Sequence, residues 1–219
     1  MITHGQLITE GKGVELREAG VGQITFSLDF ACERHDISRG IRGLFHHITT
    51  VIRKLKARGI DNISFNAFMM RNNLDDIIPI ARLGQGLGVC VSYSSYFEGK
   101  ANNATHTIVG DDLKRVEGVV EELMRFKRTH RTIRNSNFYL RKIPAYFKEP
   151  VPSFQAGLAW FQVTPGGYLQ GCSELPVEAH RTEYTPNTFR PTGCTACWFS
   201  CRGEAEARLT PGRIIELNR

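Results

Sequence analysis

The chain has 219 residues, 41% of them hydrophobic and 23% charged, with a net charge of +6. That is the composition of a soluble globular protein, long enough for one ordinary core and a smaller appendage. No stretch approaches the roughly 18 to 20 uninterrupted apolar residues of a membrane span, and the first six residues carry neither the basic nor the apolar region of an export signal, so a cytoplasmic protein is expected. The densest basic runs, residues 53–58 and 125–131, fall at the ends of predicted helices. Cations there complement the helix dipole, and no nucleic-acid partner is expected.

Residues 1–5 followed by a helical stretch at 9–18 look like the stump of a strand–helix unit. Residues 23–28 are a short β-rich run ending in Asp29. From 41 to 58 the apolar residues Ile41, Leu44, Phe45, Ile48, Val51, Ile52 and Leu55 recur at helical spacing, and Gly59 supplies a stop. A strand is predicted over 62–68. Asn72 or Asn73 then caps a helix carrying Leu74, Ile77, Ile78, Ala81 and Leu87, which ends at Gly88. Residues 89–93 read as a third strand, and Asp111–Asp112 opens a helix with Leu113, Val116, Val120, Leu123 and Phe126 on one stripe. Tyr93, Tyr96 and Phe97 read as core. Short strands alternating with longer helices predict βαβ units, a parallel sheet and the α/β class. These strands are fewer than a closed barrel needs, so the chain is expected to begin part-way through a fold.

After Pro144 the texture changes. Pro150, Pro152, Pro165, Pro176, Pro186 and Pro191 cut the chain into short pieces, and residues 158–163 and 167–170 flank a Pro-Gly-Gly turn as a hairpin. The reading is a barrel-like part over 1–150 and a small cysteine-rich domain over 151–219, stapled because it lacks a core of its own. Its staple is Cys172, just after the hairpin, with Cys194, Cys197 and Cys201 in a Cys-x-x-Cys-x-x-x-Cys run. Four thiolates close a tetrahedral zinc site or hold an iron–sulfur cluster, and a reducing compartment favours metal over disulfides. Arg202, with Trp198 nearby, is placed to donate to such a site or to shield it; an ion pair with Glu204 is its plain alternative. Cys32 and Cys90 stand alone and read as small buried hydrophobes.

Together these segments resemble the radical S-adenosylmethionine superfamily over nearly the whole chain. The residues that carry the resemblance are Phe26-Ser27-Leu28-Asp29, then His35-Asp36 with Arg39-Gly40 and Gly43-Leu44-Phe45, then Ser64-Phe65-Asn66-Ala67-Phe68 and Asn72-Asn73-Leu74-Asp75-Asp76. The strand end Ile2-Thr3-His4-Gly5 is similar to a Thr-Asn-Gly end in that family. The resemblance implies a partial (β/α) TIM-type barrel with a C-terminal twitch or SPASM-type domain holding an auxiliary [4Fe-4S] cluster on Cys172, Cys194, Cys197 and Cys201. It implies S-adenosylmethionine as cofactor of the complete family form, contacted by Ser27, Asp29 and Asn66, and an unknown peptide or small-molecule substrate, with a reductant protein as partner. His35 and Arg39 read as loop or N-cap residues rather than anion ligands.

The family's Cys-x-x-x-Cys-x-x-Cys loop is absent from these residues. An N-terminally truncated, catalytically incomplete chain is therefore expected. The alternative is a non-catalytic four-cysteine module, with zinc or iron–sulfur, that binds a partner.

Overall fold

The computed structural model describes residues 1–99, 102–154, 156–158, 160–190 and 192–217. Strands β1 (Ile2–Thr3), β2 (Ile24–Ser27), β3 (Ile63–Met69) and β4 (Cys90–Ser95) form a parallel sheet in that order. Parallel neighbours need long crossovers, and helices supply them: α1 (Glu10–Glu18), α2 (Arg34–Arg39), α3 (Leu44–Ala57) and α4 (Ile77–Leu87). Beyond β4 the chain adds a further stub: Val91 N–H donates to Thr132 O at 2.8 Å, and Arg134 N–H donates to Val91 O at 2.9 Å. This is a partial (β/α) barrel.

Alternation along the strands sorts the side chains. Phe26, Leu28, Phe65, Ala67, Val91 and Tyr93 are buried in one core with Ile48, Ile52 and Leu55 of α3 and Ile77, Ile80 and Ala81 of α4. The opposite face, the inside of a barrel, carries Thr25 and Ser27, Ser64 and Asn66, and Cys90, Ser92 and Ser94.

The helix expected over 41–58 starts later, at Leu44, and residues 34–39 form a helix of their own instead of a loop. Gly40 and Gly43 both take left-handed backbone, with φ of 65° and 77°, which breaks the run. Asp36 in α2 then caps α3, its carboxylate accepting from Gly43 N–H at 2.6 Å and Phe45 N–H at 2.7 Å. Asn73 does not cap α4 by its side chain. A 3-10 turn (Leu74–Asp76) leads into that helix, and the Asn73 amide donates to Asp29 O at 2.8 Å and Phe68 O at 2.7 Å, tying the ends of β2 and β3 together.

Helix α5 (Asp112–Thr129) opens at Asp111–Asp112 as expected, and α6 (Asn137–Tyr146) follows the stub. Helix α6 is capped by Ser136, whose hydroxyl accepts from Tyr139 N–H at 3.0 Å. Pro144 lies inside α6 instead of ending the helical region. The hairpin forms as β5 (Gln162–Val163) and β6 (Tyr168–Gln170), and β7 (Val177–His180) adds a third antiparallel strand. Ala159 in the expected hairpin and the expected break at Pro191 lie outside the described residues. Helices α7 (Ser200–Glu206) and α8 (Pro211–Leu217) close the fold. Among the described residues no helix is long and apolar enough to cross a membrane.

Candidate metal centre

Each cysteine is delivered by a different local device. Cys172 follows β6 and opens a turn in which its carbonyl accepts from Leu175 N–H at 3.0 Å. Cys194 is pinned to the segment before the hairpin, its carbonyl accepting from Phe154 N–H at 2.8 Å. Cys197 is fixed from below: Arg202 Nη1 donates to its carbonyl at 2.8 Å. Cys201 sits in the first turn of α7. Gly171 permits the approach of the hairpin, because a Cβ there would stand 3.2 Å from the Gly157 nitrogen.

All four cysteines line one cavity, walled by Phe97, Phe154, Trp160, Phe199 and Arg202. The thiols of Cys172 and Cys197 are buried, Cys194 is half-buried and Cys201 is exposed. Burial pushes the Cys197 thiol up to about 11, and the nearby Cys172 sulfur acts in the same direction against the Phe199 N–H that Cys197 accepts. Cys201 is also pushed up, first by the protein mass around it and then by Cys172. It retains open surface, so water tempers that effect and Cys197 shows it more clearly. Crowded neutral thiols of this kind become thiolates when a cation arrives, since a metal inverts the local electrostatics. Among the described residues no three His, Cys, Asp or Glu side chains already stand in a chelating arrangement. The donor set, four sulfurs with no competing carboxylate but Glu174 at the wall, fits a soft metal or an iron–sulfur cluster.

Arg202 is buried, donates also to Pro152 O and pairs with Glu206 at 3.0 Å. It does not pair with Glu204, which instead accepts from Ser136 N–H and binds Arg213. Trp198 does not line the cavity. Its indole is fully buried in the barrel core, donating to Tyr139 O at 3.2 Å. Tyr93 is core as expected, whereas Phe97 walls the cysteine cavity. Cys32 and Cys90 are half-buried, not buried.

The cysteine segment meets the inner face of the sheet. Ser94 and Ser200 are joined through their hydroxyls at 3.3 Å, at the end of β4 and the start of α7. Phe199 packs edge-on against Phe68, on the inner face of β3, with ring centres 5.7 Å apart. The cavity therefore lies at the C-terminal ends of the strands, where barrel chemistry gathers.

On that face Ser27 and Asn66 are register partners, and Asn66 pairs in turn with Ser92. Asp29 stands apart from them. Its buried carboxylate pairs with Arg39 at 2.5 Å and accepts from Phe68 N–H at 3.0 Å, while its own N–H donates to His35 Nδ1 at 3.4 Å. His35 and Arg39 thus serve this buried network. Ser92, Ser64 and Thr25 complete the polar row and were missed; Thr25 and Ser64 are hydrogen-bonded at 2.9 Å. Their signal is a small polar residue at every second position in consecutive strands.

No family model matches the chain. An 86-residue stretch is 36% identical to an AdoMet-dependent heme synthase of Oleidesulfovibrio alaskensis, covering 39% of this chain and 22% of that protein. The fold is similar to that of anSMEcpe with bound AdoMet, with a TM-score of 0.59 at 14% identity, over 85% of this chain and 55% of the other. It is also similar to Streptococcus suis SuiB bound to precursor peptide SuiA, with a TM-score of 0.58 at 12% identity, over 98% of this chain and 51% of the other. The sequence match is to an AdoMet-dependent enzyme, and the fold match includes a structure solved with AdoMet bound. The chain spans about half the length of these solved structures and about a fifth of the heme synthase.

Proposed function

We propose that this chain supplies the later strands of a radical S-adenosylmethionine barrel together with an auxiliary iron–sulfur site, and that the whole acts on a peptide. Residues 151–219 form the cluster-bearing portion, with Cys172, Cys194, Cys197 and Cys201 as its ligands. The observation that supports this reading is the single cavity shared by the four cysteines, next to the inner face of the sheet. When bound, an iron–sulfur cluster supplies electron transfer at a potential set by its surroundings. The chain's own residues hold and insulate it: Phe154, Trp160 and Phe199 exclude water, and Arg202 fixes the carbonyl of Cys197.

On the inner face, Ser27 and Asn66 present hydroxyl and amide groups side by side, suited to the polar parts of S-adenosylmethionine or of substrate. Asp29 acts one step back, positioning the ends of β2 and β3 through Phe68 and Asn73. The peptide class is drawn from the neighbours: anSMEcpe and SuiB have both been solved with peptides bound.

Anaerobic reconstitution with iron and sulfide tests the reading. We expect a brown protein with about four irons per chain, the content of one [4Fe-4S] cluster. The Cys194→Ala/Cys197→Ala pair should abolish that uptake while keeping the far-ultraviolet circular dichroism of the parent. Colourless protein holding one zinc overturns the cluster, as does iron uptake unaffected by the substitutions.

A further inference from the structure

One of the basic helix ends that look merely solvated in the sequence, residues 125–131, meets two other helices in the fold. The C-terminus of α5, the stretch leading into the stub, α6 and α8 enclose a groove that no cysteine lines. Arg128, Arg131, Arg134 and Arg141 line it, all exposed and none with an ion-pair partner among the described residues. The two other cations in its wall are neutralised: Lys127 by Glu216, and Arg213 by Glu204 and Glu216. Glu216 is the acid that lines the groove, and both its oxygens are used, one by Lys127 and Asn137 N–H, the other by Arg213. Four guanidinium charges are left uncompensated around one depression. Beside them Ile214 and Ile215 of α8 lie 51% and 57% exposed.

We propose that this groove docks an acidic segment of a protein partner, with carboxylates on the four arginines and an apolar side chain on Ile215. Arginine suits this role because its planar fork binds a carboxylate through paired hydrogen bonds, and it is enriched at protein interfaces for that reason. A nucleic acid fits less well. Single strands are held by aromatic platforms, and no Phe, Tyr or Trp lines the groove. The one ring at hand, His130, is stacked on Phe126 at 4.2 Å. Exposed isoleucines amid the cations match a partner with apolar side chains and not a sugar–phosphate chain. The proposal does not rest on the metal reading, since none of the groove residues is a cysteine.

The test uses the full chain and a fluorescent synthetic peptide of alternating glutamates around a central leucine. Its controls are the glutamine counterpart and an oligothymidylate of equal charge. We expect salt-sensitive binding of the acidic peptide, weakened about tenfold or more by Arg131→Gln/Arg134→Gln. Arg53→Gln/Lys54→Gln, on the distant basic run, should leave it within about twofold. Circular dichroism checks that both variants fold. The proposal is overturned if the oligonucleotide binds more tightly through the same arginines, if the acidic peptide binds no better than its glutamine counterpart, or if the distant pair weakens binding equally.

Discussion

Trp198 and Tyr139 each donate a side-chain hydrogen bond to the other's main-chain carbonyl. The indole Nε1 reaches Tyr139 O at 3.2 Å, the phenol reaches Trp198 O at 2.9 Å, and the rings stack 5.6 Å apart at 11°. Burial raises the Tyr139 pKa and so keeps the hydroxyl protonated as a donor. This reciprocal clasp fastens the cysteine segment to α6 and, through Ser95 N–H, to the end of β4.

Tyr139→Phe keeps the stack and removes the donor to Trp198 O. Ser95 N–H still reaches that carbonyl at 3.4 Å, so stability should fall by about 1 kcal/mol, the usual net worth of one hydrogen bond. Trp198→Ala also empties a buried site and should lower it by about 3 to 5 kcal/mol. Urea denaturation measures both. If the clasp positions the cysteines, iron uptake should fall more in the tryptophan variant than in the phenylalanine one. Equal uptake by both would separate the clasp from the metal site.

Arg202 is a buried cation whose donors end on Cys197 O, Pro152 O and the Glu206 carboxylate. Arg202→Lys keeps the charge and loses the fork, so it should recover little of what Arg202→Met loses. Breaking one side of such a buried pair typically lowers stability by about 3 to 5 kcal/mol. A lysine variant with the parent's urea midpoint would show that charge alone suffices.

The His35 ring is fully buried, with a pKa lowered from 6.5 to about 4, first by desolvation and then by the Arg39 charge. A depressed pKa means that the unfolded chain binds the proton more readily. The stabilising contribution is therefore complete above pH 6.5 and is lost as pH falls toward 4. Across that window it amounts to up to about 3 kcal/mol. His35→Asn should flatten the acid limb of stability against pH, measured on apo protein by thermal melts. A parent profile that is flat between pH 6.5 and 4 contradicts the assignment.

Ser27 and Asn66 are half-buried on the inner face, and no side-chain hydrogen bond holds either among the described residues. Asn66→Ala should change stability by no more than about 0.5 kcal/mol, as at other sites free of structural partners. If the amide contacts S-adenosylmethionine, equilibrium dialysis should show retention falling about tenfold, the loss of one good polar contact. Asp29→Asn should do the reverse, weakening the fold through Arg39 while altering retention less.

What could be read in advance follows the strength of local signals. The three main strands and α3, α4 and α5 announce themselves by period, because each buries a continuous face. Helix α2 has six residues and one buried side chain, His35, too little for a periodic pattern. Helix α6 is obscured by Pro144, which lacks the N–H an interior helical residue donates four positions back and so reads as a stop. Strand β7 reads Val-Glu-Ala-His, with no β-branched run to mark it. The spacing of the last three cysteines foretold a common cavity. Their placement at the barrel mouth was not legible, because it depends on Trp198 entering the barrel core, where its hydrogen-bond partner Tyr139 stands 59 positions earlier.

That last dependence sets an order of events during synthesis. Most of the slot for Trp198 is made of residues up to α6, among them Tyr139 and Phe138, and Gly203 of α7 lies against it, while the indole that fills it emerges dozens of residues after α6. Cys197 and Cys201 flank that indole in sequence and enter the fold with it. On the proposed metal reading, a chain ending before residue 198 would lack both Cys201 as a ligand and the indole that fills this slot.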